Sequence, residues 1–99
     1  MNKINYQRPP TNPGEILSEE FLKPLGLTQK ELADHIQVDI KVINRLVNGK
    51  TTLSAEMALK LASSFQTTPD FWLSAQYEID LYRAKMSLPK LPGAIIKTN

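Results

Sequence analysis

Four side chains between residues 40 and 45 have the chemistry needed to contact the base edges of duplex DNA. Lys41 and Arg45 are donors that suit O6 and N7 of guanine. Asn44 matches the adenine edge, and Ile40 offers an apolar surface to a thymine methyl group. Their spacing places all four on one face of a helix, which predicts a recognition helix for the major groove. A weaker interpretation stays open, in which the cations contact only phosphate and the amide only water.

Three further polar residues flank this predicted helix. Gln29 lies before it, and Asn48 and Lys50 lie just after it, where the backbone of a bound duplex would pass. Contacts to phosphate fix the register of a protein on DNA without carrying sequence information. Both neutral residues also have a purely local explanation, since Gln29 suits a helix start and Asn48 a C-terminal turn.

Charge is distributed unevenly along the chain. The whole sequence has 12 Lys and Arg against 10 Asp and Glu, a formal net charge of +2, which is too small to indicate a nucleic-acid partner. The segment 40–50 nevertheless carries three cations and no acidic residue, and phosphate neutralisation supplies most non-specific DNA affinity. Taken alone, this patch is better explained as a solvated helix face, so the interpretation depends on the elements around it.

Two short helices must position these side chains, and the sequence encodes their ends. Thr28 and Glu31 form a capping box at the start of the first helix, and Asp39 is the expected N-cap of the second. Ala33 supplies the small residue needed where two such helices cross. The predicted shared core consists of Leu32, Ala33, Ile36, Val38, Ile43 and Leu46, with Val42 and Val47 as further inward candidates. The pattern predicts a helix-turn-helix.

Helix start and stop residues predict three more helices, which makes an all-α fold of five helices. Asn12 is the expected cap of the first helix. The expected bounds are Pro13 to Pro24–Gly26 for the first helix, a start at Ser54 for the fourth, and Thr68 to about Lys85 for the fifth. The predicted organisation is an arm at 1–12, a helical domain at 13–86 and a tail at 87–99, in which Ala94–Ile96 is a candidate short strand.

Composition argues against several other classes of protein. The chain has no cysteine, which excludes disulfides and thiolate metal sites, and no apolar run approaches the ~20 residues of a membrane span. The single histidine, His35, has no evident second ligand or nucleophile, and Glu19 and Glu20 are adjacent and therefore do not share a helix face. We expect a cytoplasmic protein with no catalytic site, no metal and no cofactor.

Several stretches of the sequence resemble HigA-type antitoxins (virulence-associated protein I), which belong to the Xre, or Cro/repressor-type, helix-turn-helix family. The matching stretches are Asn12–Leu17, Glu20–Ala33, Val42–Lys50, Met57–Ala62 and Thr68–Leu73. The resemblance covers roughly residues 12–84 and implies a lambda-repressor-like DNA-binding domain. Two positions depart from the family pattern, because Asn12 stands where His is usual and Gln37 where the turn usually has Gly. A left-handed Gln37 would cost on the order of 1 kcal/mol.

The resemblance implies an antitoxin that neutralises a HigB-type ribonuclease toxin and represses its own operon as a homodimer. Two-fold symmetry would require a palindromic operator with half-sites roughly 34–36 Å apart, or a multiple of that distance. The fifth helix and the Leu88–Ile96 tail are candidates for the dimer contact, although Phe71, Trp72 and Tyr82 also suit a core. The arm at 1–12 is a candidate for toxin contact. A stand-alone repressor without a toxin partner and a protein-interaction module remain alternatives.

Overall fold

The computed structural model describes residues 9–96, and within that range the chain forms five helices and no strand. Helix α1 occupies residues 13–25, as the consecutive segments Pro13–Ile16, Leu17–Leu22 and Lys23–Leu25. The other helices are α2 (Gln29–Ile36), α3 (Ile40–Val47), α4 (Ala55–Phe65) and α5 (Pro69–Ser87). The expected all-α, five-helix fold is confirmed.

Helix α1 differs from the expected regular helix in its middle segment, Leu17–Leu22, which is π-helical. Its wider turn is visible where the backbone N–H of Lys23 donates to the carbonyl of Ser18. The expectation that Pro24 helps to end the helix is wrong, because Pro24 lies inside it. A proline removes one N–H from the helix and crowds the carbonyl four residues earlier, and Pro24 follows closely on the π-helical segment. The helix ends at Gly26, which is left-handed with φ 66°.

The ends of α2 and α3 are formed by the predicted caps. Thr28 Oγ1 accepts from the backbone N–H of Glu31 at 3.0 Å, and the Glu31 carboxylate accepts from the backbone N–H of Thr28 at 2.8 Å. Asp39 Oδ1 accepts from the backbone N–H of Lys41 at 2.8 Å. Between the two helices Gln37 is left-handed, with φ 59° and ψ 51°, so this non-glycine residue takes the conformation that the turn requires.

The core lies where all five helices meet. Of the predicted helix-turn-helix core, five residues are buried and Val38 is partly buried against them. Trp72 is completely buried, and its Nε1 donates to Thr67 Oγ1 at 2.8 Å. Phe71 contacts it edge-on with ring centroids 5.1 Å apart, while staying partly exposed. Of the two residues, Trp72 therefore completes the core and Phe71 lies at its rim.

Helices α4 and α5 begin at the expected caps and are linked to the preceding loop by a buried amide. Ser54 Oγ accepts from Met57 N, and Thr68 Oγ1 accepts from Phe71 N, both at 3.1 Å. Gln76 on α5 is buried, and its Oε1 accepts from the backbone N–H of Leu53 at 2.8 Å. This bond ties the loop that follows α3 to α5.

Two expectations about local structure are wrong. Residues 94–96 form no strand, because they lie exposed with no strand beside them in the described chain. Val42 faces solvent rather than the core, because the inward face of α3 is already formed by Ile43 and Leu46, whereas Val47 is partly buried as expected. The predicted toxin-contact arm falls mostly on residues 1–8, which lie outside the described residues. No helix within residues 9–96 is long and apolar enough to cross a membrane.

Candidate nucleic-acid interface

Helix α3 has two sharply different faces. Ile43 and Leu46 are 0% and 1% exposed, so they fix the rotation of the helix against the core. The opposite face consists of the four predicted base-facing residues, all exposed: Ile40, Lys41, Asn44 and Arg45. An exposed helix face with two cations, an amide and an aliphatic side chain has the donors and the apolar surface that a major groove requires.

The C-terminal end of α3 is seated against the first turn of α1 at Gly14. A Cβ atom at this position would overlap the carbonyl oxygen of Leu46 and lie 2.9 Å from Cα of Val47. Gly14 is therefore required by a close approach between two backbones, since no side chain can rotate away to make room. The same turn of α1 is capped as predicted, because Asn12 Oδ1 accepts from the backbone N–H of Gly14 at 2.8 Å.

Three side-chain amides form a hydrogen-bonded chain across the two helices. Asn48 Nδ2 donates to Asn44 Oδ1 at 3.3 Å, and Asn44 Nδ2 donates to Gln29 Oε1 at 3.3 Å. We call Gln29, Asn44 and Asn48 the amide chain. It joins one predicted base-facing residue to two predicted phosphate-facing residues, so these three positions form one continuous polar surface.

No carboxylate among residues 9–96 pairs with the cations of this surface. Within residues 9–96 the ion pairs are Lys23–Glu19, Lys30–Asp34 and Lys60–Glu56, so Lys41, Arg45 and Lys50 form none there. The Arg45 guanidinium instead donates to the backbone carbonyl of Lys50 at 3.5 Å, which orients it toward the end of the helix. The result is a surface of uncompensated positive charge, suited to an anionic backbone.

Two residues beside this surface make contacts that no sequence pattern predicts. Gly14 reads in the sequence only as part of a helix start, and its close approach to α3 depends on a distant segment. The one indication for Gln76 is its position one turn after Trp72 and one turn before Ile79, on the side of α5 that is buried. Among the described residues no group of three or more His, Asp or Glu side chains could hold a metal ion.

A capped helix pair that crosses at the buried Ala33, and that exposes a cationic face on its second helix, defines a helix-turn-helix protein. The comparison with known families agrees, since the helix-turn-helix family model matches residues 19–72. The chain belongs to this family, in its Xre-type branch, and its relatives include proteins named as HigA antitoxins.

The relatives connect the chain with both regulators and antitoxins. It is 48% identical over 75 residues to an uncharacterised HTH-type transcriptional regulator of Haemophilus influenzae, covering 76% of this chain and 70% of that protein. It is 42% identical over 76 residues to antitoxin HigA-1 of Vibrio cholerae, covering 77% and 71%. A solved structure described as antitoxin GraA in complex with its operator matches with a TM-score of 0.80 and 33% identity, covering 96% of this chain and all of that one.

Proposed function

We propose that this protein is a sequence-specific DNA-binding antitoxin that neutralises a HigB-type toxin and represses its own operon. The exposed face of α3 carries the proposal, because it presents ordered amides and cations that have no carboxylate partner among residues 9–96, on a helix that Ile43 and Leu46 hold against the core. In this proposal Ile40, Lys41, Asn44 and Arg45 contact bases, and Gln29, Asn48 and Lys50 contact phosphates. DNA binding itself is supported by the match over nearly the whole chain to an antitoxin solved in complex with its operator.

A homodimer is part of the proposal, and an apolar stripe on α5 supports it. Tyr77, Leu81 and Ala84 recur at the spacing of one helical face, Leu88 follows directly after the helix, and all four are exposed. A second copy of the chain presents the same stripe across a two-fold axis, so the surface is complementary to itself. We expect light scattering to give a dimer for the wild type and a monomer for Leu81→Asp, while a dimeric Leu81→Asp would assign the interface elsewhere.

The DNA-binding part of the proposal is tested by a mobility-shift assay with the DNA upstream of the gene. The Lys41→Ala/Arg45→Ala double variant is expected to lose the shifted band. An Arg83→Ala/Lys90→Ala variant is the matched control, since it removes the same charge from exposed positions on α5 and the tail. Retention of the shift by the first variant would contradict the assignment of the recognition face.

The toxin part is tested with the product of the adjacent open reading frame. We expect that product to inhibit growth when expressed alone, to be harmless when this protein is co-expressed, and to be recovered with it in a pull-down. A harmless neighbour, or a toxic one that this protein leaves active and unbound, would favour the second candidate, a stand-alone repressor. That candidate is supported by the relative in Haemophilus influenzae, which is named only as a transcriptional regulator.

A further inference from the structure

The amide chain uses half of the hydrogen-bonding capacity of the Asn44 side chain and leaves the other half for a ligand. Each side-chain amide carries two N–H donors and an oxygen with two lone pairs. Asn44 gives one donor to Gln29 and one lone pair to Asn48. One donor and one lone pair therefore remain free on an exposed side chain at the outer face of α3.

We propose that Gln29 and Asn48 are positioning residues that orient the Asn44 amide for adenine, so that sequence preference at one base pair depends on all three side chains. The inference rests on the proposed function and adds to it. The free donor and acceptor of Asn44 match N7 and N6–H of adenine, whereas guanine presents two acceptors there. An amide held in one orientation thus favours adenine over guanine.

The geometry explains why neighbours are needed for this preference. A solitary exposed asparagine rotates about its terminal torsion and exchanges the positions of its oxygen and nitrogen. Partners on both sides remove that freedom before DNA arrives, and preorganisation of this kind lowers the entropic cost of binding. One partner, Gln29, lies on α2, whereas Asn48 follows the last turn of α3. The orientation of Asn44 therefore depends on how the two helices pack against each other.

The inference can be separated from a role for Gln29 in phosphate contact alone. A residue that contacts only phosphate changes the affinity for all sequences by the same factor. A residue that positions Asn44 changes the affinity ratio between two duplexes that differ at a single base pair. The Gln29→Glu variant tests the two roles separately. The new carboxylate still accepts a hydrogen bond from Asn44 Nδ2, so the positioning role is kept, whereas its negative charge repels phosphate.

The experiment measures binding of the full chain, by fluorescence anisotropy, to a panel of duplexes in which each base pair of the upstream half-site is replaced in turn. For the wild type we expect one A·T pair whose change to G·C weakens binding about 5- to 150-fold, the range for a bidentate contact. Asn44→Ala should abolish that ratio. Gln29→Ala and Asn48→Ala should each reduce it several-fold at the same pair, whereas Gln29→Glu should lower the affinity for every duplex and keep the ratio.

Two further measurements keep the result interpretable. Lys50→Ala is the matched control, because it should weaken binding to all duplexes equally and leave the ratio unchanged. In the free protein, the side-chain amide resonances of Asn44 should shift in Gln29→Ala and Asn48→Ala while the melting temperature stays close to that of the wild type. Unshifted resonances would overturn the proposed coupling without reference to DNA.

The possible outcomes distinguish this inference from the proposed function. If the wild type shows the A·T preference and Gln29→Ala and Asn48→Ala retain it in full, the positioning role is wrong and the proposed function stands. If the wild type has no preference for any duplex over unrelated DNA, the proposed function is wrong, and this inference is wrong with it.

Discussion

Replacement of Gly14 by alanine tests how α3 is held in place. The added Cβ would overlap the carbonyl oxygen of Leu46 and lie 2.9 Å from Cα of Val47. Because both neighbours are backbone atoms, one of the helices must move, at a cost of about 2–4 kcal/mol, at or above the upper end of the ~1–3 kcal/mol typical of overpacking. Alanine is the better helix former by about 1 kcal/mol, so the two effects oppose each other. Because the cost of the overlap exceeds the gain in helix propensity, we expect the variant to be about 1–3 kcal/mol less stable than the wild type.

The assay is thermal unfolding followed by circular dichroism. A loss of this size should lower the melting temperature by about 5–20 °C for a domain of this length. Gly93→Ala is the matched control, since no atom lies within 4 Å of a Cβ built there, and it should change stability by less than about 0.5 kcal/mol. A Gly14→Ala variant as stable as the wild type would refute the close contact between α1 and α3.

Two other substitutions test single features of the fold. Gln37→Gly removes the strain of a left-handed side chain at φ 59° and should stabilise the protein by up to about 1 kcal/mol in urea unfolding; a loss of stability would show that the Gln37 side chain makes a contact worth more than the strain. Gln76→Leu leaves the buried N–H of Leu53 without its acceptor and should cost about 1–3 kcal/mol. An unchanged midpoint in Gln76→Leu would mean that this hydrogen bond does not stabilise the loop after α3.

Local chemistry explains which parts of the fold were predictable from the sequence. The caps at Asn12, Thr28, Asp39, Ser54 and Thr68 all form as expected, because a cap depends on residues within one turn of it. The rotation of α3 was likewise predictable, since its apolar residues recur at the helical period. The prediction of a strand at 94–96 is wrong for the opposite reason. A strand needs a second strand to pair with, and the local sequence does not show whether the fold provides one.

The features that escaped prediction depend on contacts between distant segments. Gly14 contacts the end of α3, and Gln76 bonds to the loop before α4, so neither role is visible in a sequence window. The π-helical segment of α1 also escaped prediction, because Pro24 stays within the helix and proline alone more often indicates a helix end. The amide chain is likewise not visible as a unit in the sequence, because Gln29 and Asn44 are 15 residues apart.

The salt dependence of binding to the upstream DNA tests the central claim most directly, namely that the exposed face of α3 binds duplex DNA. A cation held close to the duplex displaces counterions whether it contacts a base or a phosphate, so Lys41, Arg45 and Lys50 on each chain of a dimer predict that log K falls with log salt with a slope of about −5. Lys50→Ala should reduce the magnitude of that slope by about 2, because one cation is lost from each half of the dimer. A slope near zero for the wild type, or equal slopes for the wild type and a variant lacking all three cations, would contradict the account.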